Sequence, residues 1–379
     1  MCGSSWRTPE RRINRRSLLA ASGLAVAVGA SACSADPPTR GAQTTVAAGG
    51  APGGAPPALE IVLLGTQGAP QVEPDRAGIA TALVVDGITY VIDCGRGATT
   101  QFSRAGLKFK SLKSIFITHL HADHVADYYN FFMQAGLIPD PSGDILPGPI
   151  NVYGPGPAGG LPPKFGGGIA PTIAPQDPTP GIATLTERCH EAYAYNSNIF
   201  MRDSGANDIQ DYALVREIVL PKSGANFKNT SPPMRPFHVM EDDKVRVSAV
   251  LVPHGQIFPS FAYRFDTTHG SVTFSGDTTY SENLVTLAKG SDVLVHEAVN
   301  LRGSHAISPA VLNHTVESHV EVQKVGPIAQ RTGAHKLILT HLIDLVNHPL
   351  DSNQWKNWAQ EGYDGQVIIG QDLQRIPLI

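Results

Sequence analysis

Cysteine is scarce in this chain, with 4 in 379 residues, and Cys2 and Cys33 fall within its first 33 positions. The remaining two, Cys94 and Cys189, are too few to frame a disulfide-stapled fold. They would pair only in an oxidising compartment, and two separate buried thiols are an equal alternative. Long hydrophobic runs are also missing. The longest stretch, Leu18 to Ala32, is about 15 residues, short of the roughly 20 that a bilayer-spanning helix needs. Positive charge is in deficit, at 29 Lys and Arg against 33 Asp and Glu, a formal net charge of -4. Phosphate binding draws on clustered cations, so the charge balance predicts no nucleic-acid partner. What is present is ordinary for a globular domain: 42% hydrophobic, 7% aromatic and 16% charged residues, enough for one large core.

The basic residues concentrate at the start. Residues 1–32 carry Arg7, Arg11, Arg12, Arg15 and Arg16 against Glu10, so the body is more acidic than the whole. Arg15-Arg16-Ser17-Leu18-Leu19 and the short apolar run after it are similar to a twin-arginine export signal. Ala30-Ser31-Ala32 fits signal cleavage, and Cys33 offers a site for a lipid anchor to a membrane. The expected location is therefore outside the cytoplasm, as an envelope lipoprotein or a secreted protein. Residues 33–58, rich in Pro, Gly, Ala and Thr, read as a flexible linker, leaving 59–379 as the folded domain.

Leu59 to Leu64 has the pattern of a short strand, and Thr81 to Val85 and Thr89 to Ile92 read as a hairpin about Asp86-Gly87. Ser114 to Thr118 predicts a buried strand. Val245–Leu251, Phe261–Phe265, Ser271–Phe274, Val293–His296 and Lys336–Thr340 predict further strands, and Gln101–Leu107, Glu282–Lys289 and Glu321–Thr332 predict helices. Alternation of this kind fits an α/β protein of two packed sheets covered by helices. Residues 138–182, dense in Pro and Gly, read as an insertion of loops or a flap.

At the end of the Ser114 strand stands His119-Leu120-His121-Ala122-Asp123-His124, three imidazoles and a carboxylate within six positions. Such a run alone also suits a solvated loop or an adventitious metal site. Further on, His254, Asp277 and His341 each follow a strand-like stretch, which supplies the oxygen and nitrogen donors of a two-metal site.

These residues resemble the metallo-β-lactamase superfamily, and in particular its ribonuclease Z and arylsulfatase-like branch. The likeness rests on Leu64-Gly65-Thr66 with Arg76, Asp93-Cys94-Gly95, and the Thr118-to-His124 run, and it extends from Leu59 to about Ile343. It implies a four-layer αββα sandwich. It also implies that His119, His121 and His254 hold one metal, that Asp123, His124 and His341 hold the other, and that Asp277 bridges them. Two zinc ions suit those donors, with manganese or iron as substitutes. Asp277, where β-lactam-cleaving members usually place cysteine, makes a β-lactamase a minor alternative.

In the same branch a Glu and a His deliver a proton to the leaving group, roles that fall here on Glu297 and His319, with His314 as the rival donor. His296 reads as a core histidine, and His190, His238, His269, His305, His335 and His348 lack matching context. The implied reaction is hydrolysis by a hydroxide bridging the metals, with Asp123 as ligand and base. Export and an acidic body point to a small phosphodiester or aryl sulfate ester as substrate. A lactone or carboxylic ester hydrolase and a non-catalytic metal-binding surface lipoprotein are the alternatives. Relatives with this pattern are often homodimers.

Overall fold

Asp86 and Gly87 both adopt positive φ, 48° and 82°, the left-handed pair that a two-residue hairpin turn of type I′ requires. They join two antiparallel neighbours in one sheet, Ala80–Val85 and Ile88–Ile92. In the computed structural model, residues 56–137, 141–303, 307–347 and 349–378 are described. The expected signal over 1–32, Cys33, most of the 33–58 linker, His305 and His348 lie outside the described residues.

Strands β1 (Leu59–Gly65), β2 (Ala80–Val85), β3 (Ile88–Ile92), β4 (Leu112–Phe116), β5 (Ile150–Gly154) and β6 (Ala213–Glu217) lie side by side in that order. The second sheet holds β7 (Phe237–Glu241), β8 (Val245–Leu251), β9 (Phe261–Thr267), β10 (Gly270–Phe274), β11 (Val293–Asn300), β12 (Lys336–Asp344) and β13 (Gln366–Ile369). The chain then returns to the first sheet with β14 (Arg375–Pro377), antiparallel to β1. Both sheets are mixed. β3 to β6 run parallel, as do β10 to β13, while the rest pair antiparallel.

Parallel strands need crossovers, and helices packed on the sheet faces bury those strands on both sides. β12 is accordingly buried at every position after Lys336. Three apolar cores result. One lies between the sheets and includes Ile61, Phe116, Tyr263, Phe265 and Ile338. The second packs Phe102, Phe131, Phe132 and Ile182 against the outer face of the first sheet. The third packs Leu284, Val325, Ile328 and Trp355 against the outer face of the second. Helix, sheet, sheet and helix are thus the four layers expected from the sequence.

Two expectations change. The 138–182 stretch is not all loop, because β5 runs inside it between β4 and β6; its Ile150 and Val152 alternate inward, a signal too short to stand out among prolines and glycines. The helix Ser352–Gln360 went unread because its apolar content is confined to Trp355, Trp358 and Ala359 in a polar segment. It is started by Asp351, whose carboxylate accepts from the Asn353 and Gln354 N–H groups. Cys94 and Cys189 are separate thiols, the former fully buried.

Phe116 anchors the inter-sheet core through ring contacts with Tyr153 at 5.0 Å, Tyr263 at 5.5 Å and Phe265 at 4.9 Å. Truncating such a side chain leaves a cavity that close-packed neighbours cannot fill. Phe116→Ala should cost about 3–5 kcal/mol of unfolding free energy in a denaturant titration. A loss below about 1 kcal/mol would show that the sheets repack freely.

Candidate metal centre

The metal-ligating residue types converge where the strands of the two sheets end. The His119–His124 run follows β4, His254 follows β8, Asp277 follows β10, and His341 lies within β12. Before the first histidine the chain is fixed by Asp93, at the end of β3 with φ 58°. Its carboxylate accepts from the Thr118 N–H at 2.8 Å, from the Thr118 hydroxyl at 2.8 Å and from His124 Nδ1 at 2.9 Å. A proton held on Nδ1 of His124 leaves Nε2 as the free donor atom, and that nitrogen lies 3.2 Å from Asp277 Oδ2. Gly95 completes the support. A Cβ there would come within 2.4 Å of the Asp123 carbonyl oxygen, so only glycine allows the loop to lie so close.

His254 is oriented in the same manner, donating from Nδ1 to the Ser318 carbonyl at 2.9 Å while its Nε2 comes to 3.1 Å from His121 Nδ1. His341 Nε2 is 3.4 Å from Asp123 Oδ2. Asp277 stands in the middle, its Oδ2 3.8 Å from His119 Nε2, 3.8 Å from His254 Nε2 and 3.1 Å from His341 Nε2. Two groupings emerge, His119 with His121, His254 and Asp277, and Asp123 with His124 and His341, the ligand atoms of each within 4.8 Å of one another. The structure therefore brings together all seven residues singled out from the sequence.

Chemistry favours a cation here. Burial, reinforced by neighbouring His124 and His254, holds His119 well below the usual imidazole range, so it is neutral. Burial likewise depresses His254, and it brings His121 down to about 4. Neutral imidazoles are the ligating form. Burial opposes charge on His124 as well, but Asp277 and Asp93 outweigh it and raise that pKa. His119 Nε2 and Asp277 Oδ1 are buried with no hydrogen-bond partner, an arrangement costly for protein alone and natural for metal ligands. The donor set fits divalent metal.

Beside this cluster, Glu297 in β11 offers Oε1 to the Val320 N–H at 2.8 Å and Oε2 to His319 Nδ1 at 3.2 Å. Burial disfavours charge on His319, but Glu297 outweighs it and raises the pKa. His319, Asp277 and His341 form a third grouping of adjacent ligand atoms. The rival His314 is exposed, with its ring centred 6.1 Å from that of His121, while both Glu297 oxygens are engaged elsewhere. His296 is a fully buried core residue whose Nδ1 donates to the Glu297 carbonyl. His190 pairs with Tyr129 and His269 with Asp86, away from the cluster.

Three supports were not read from sequence. Asp93 was seen only as part of a turn, and the Ser318 carbonyl carries no side-chain signature. Asp372 lies near the C-terminal end, yet it accepts from Thr66 N–H at 2.9 Å, Thr66 Oγ1 at 2.7 Å and Ala77 N–H at 2.5 Å. It thereby fixes the loop whose Gly68 has room for no Cβ against the His341 ring. Arg76 serves that loop too, bonding Thr66 Oγ1 at 2.8 Å rather than entering the metal cluster.

Comparison with known proteins agrees with this fold. Residues 59–135 match the family model of the Anti-Pycsar protein Apyc1. Ribonuclease Z of Mycobacterium bovis (strain BCG / Pasteur 1173P2) is 26% identical over 324 residues, 84% of this chain and 98% of that protein. Among solved structures, human tRNase Z, short form, superposes with a TM-score of 0.54 at 21% identity, covering 84% of this chain and 99% of that one. The metallo-β-lactamase fold protein YhfI from Bacillus subtilis gives 0.53 at 14% identity, covering 84% and 98%. The sandwich is the metallo-β-lactamase fold, and its His/Asp cluster is suited to binding divalent metal. In sequence the chain is similar to ribonuclease Z over most of its length.

That relationship overturns the expectation of no nucleic-acid partner, since the relatives are a ribonuclease and a tRNase by name. The inference from net charge failed because it averages over the whole chain. Phosphate recognition is local and depends on the few groups that surround a site.

Removing the Asp93 carboxylate frees the His124 ring without touching a ligand. Asp93→Ala should weaken metal affinity about 10- to 100-fold in a competition titration with a chelating dye. Unchanged affinity would mean that His124 is oriented by something else.

Proposed function

We propose that this protein is a zinc-dependent phosphodiesterase acting on nucleotide-containing phosphodiesters. One observation carries the reading: Asp277 belongs to two of the three ligand groupings, and one of those two includes His319, which Glu297 holds at 3.2 Å. A non-catalytic metal carrier has no use for that neighbouring proton donor. The ribonuclease names of the relatives favour a phosphodiester over a sulfate, lactone or carboxylic ester.

His119, His121 and His254 would hold one ion, Asp123, His124 and His341 the other, with Asp277 between them. Zinc is the assignment, with manganese or iron as workable replacements for nitrogen and carboxylate donors. Two bound cations would acidify water and offset charge developing on the phosphoryl oxygens. Asp123, 9% exposed at the mouth of the cluster, orients the attacking water and takes up its proton. His319 protonates the departing oxygen, and Glu297 keeps the imidazole aligned and charged for that step. Export through residues 1–32, with Cys33 either lipidated or left beyond the cleavage point, belongs to the same proposal.

A panel of bis(p-nitrophenyl) phosphate, a short RNA, p-nitrophenyl sulfate and a lactone, assayed with zinc and with chelator, tests the reading. Turnover of the phosphodiesters should vanish on chelation and return with zinc, and Asp123→Ala should abolish it while the folded far-UV signal persists. Turnover of only the sulfate or the lactone would refute it. His319→Ala should lower kcat/KM for RNA by about 10²- to 10⁴-fold, yet lower it less than about tenfold for the nitrophenyl ester, whose leaving group needs no proton. Equal losses on both would remove His319 as the acid.

A further inference from the structure

Next to His319, and lined by none of the seven candidate ligands, the structure contains a cavity of about 440 Å³, within the size range of small-molecule sites. His319 is one wall of it and also belongs to the grouping with Asp277 and His341. The cavity therefore begins at the residue to which the phosphodiesterase reading gives the leaving group's proton. Whatever departs on that proton has this space to occupy.

The lining is specific in kind. Val316, Val320 and Ile328 supply apolar surface, whereas Tyr280 and Arg331 supply a ring and a guanidinium. Those two are held as a unit, since Arg331 lies 5.8 Å from the Tyr280 ring centre and forks onto Glu282 at 2.8 and 3.0 Å. Aromatic and guanidinium surfaces are where a heteroaromatic base stacks. Gln323, also in the lining, has a side-chain amide whose Nε2 and Oε1 are both buried without a hydrogen-bond partner. An amide offers donor and acceptor side by side, matching the edge of a base, and an unpaired buried amide is costly until something pairs it.

We propose that this cavity is a nucleoside pocket for the leaving group, with the base between the apolar wall and Tyr280–Arg331 and its polar edge toward Gln323. The inference rests on the phosphodiesterase reading. The water oxygen forms a bond to phosphorus, the bond from phosphorus to the nucleoside oxygen breaks with its electron pair on that oxygen, His319 protonates it, and Asp123 holds the proton from water. The products are a phosphate monoester and a free nucleoside hydroxyl, the latter in the cavity.

Calorimetric titration of the zinc-loaded full chain with adenosine and cytidine, against phenol and benzyl alcohol as controls, reads the pocket without any turnover. Nucleosides should bind and the controls should not. Val316→Trp, at a half-exposed helix position that tolerates a larger side chain, fills the cavity and should weaken nucleoside binding at least about tenfold. Tyr280→Ala removes the stacking surface and should weaken it about 5- to 150-fold. In both variants the kcat/KM ratio of nucleoside-leaving to methyl-leaving phosphodiesters should fall in parallel. No nucleoside binding, equal binding of phenol, or undiminished binding by both variants would overturn the pocket. Nucleoside binding lost in the variants, together with inert phosphodiesters throughout, would leave the pocket standing and remove the phosphodiesterase reading.

Discussion

Everything at this site depends on one buried anion. Asp277 is 1% exposed, and its Oδ2 lies within 3.8 Å of four imidazole nitrogens, while its Oδ1 has no partner. An isolated carboxylate cannot be kept ionised in such a place without compensating positive charge. Burial also drives His119, His121 and His254 toward neutrality, so imidazolium ions do not supply it on that side. Bound cations would resolve both demands at once, pairing the anion and using the neutral rings as ligands.

The rest of the fold serves to hold seven side chains around that point. Two mixed sheets bring together the residues that follow β4, β8 and β10 and His341 within β12. Open α/β sheets gather their sites at such carboxyl ends because the loops there converge while the strands stay rigid. Fine positioning comes from outside the ligand set. Asp93 orients His124, the Ser318 carbonyl orients His254, and Asp372 fixes the loop that packs on His341. The helix ending at Ser318 is thus tied to the metal site on one side and presents His319 on the other.

Much of this was legible in the sequence, and the physical reasons divide cleanly. Strands at the inter-sheet core announce themselves by β-branched and aromatic runs such as Ser114–Thr118, and the hairpin by Asp86-Gly87. The ligands were legible because histidine and aspartate at strand ends have few other uses in such density. Asp93 and Asp372 were not, since an isolated aspartate in a turn looks the same whether it caps a loop or orients a ligand, and Asp372 lies 306 positions from Thr66. β5 and the Ser352–Gln360 helix were missed because two or three apolar residues do not establish a period. The expectation of no nucleic-acid partner failed for a different reason: net charge is a property of the whole chain, whereas phosphate contacts are made by a few local groups.

The most direct test of the account is the metal stoichiometry of the purified protein and of Asp277→Ala, measured by elemental analysis after dialysis against buffered zinc. Two ions per wild-type chain and fewer than one per variant chain are expected, because the shared carboxylate is what allows both ions to sit together. Retention of two ions by Asp277→Ala, or binding of none by the wild-type chain, would contradict it.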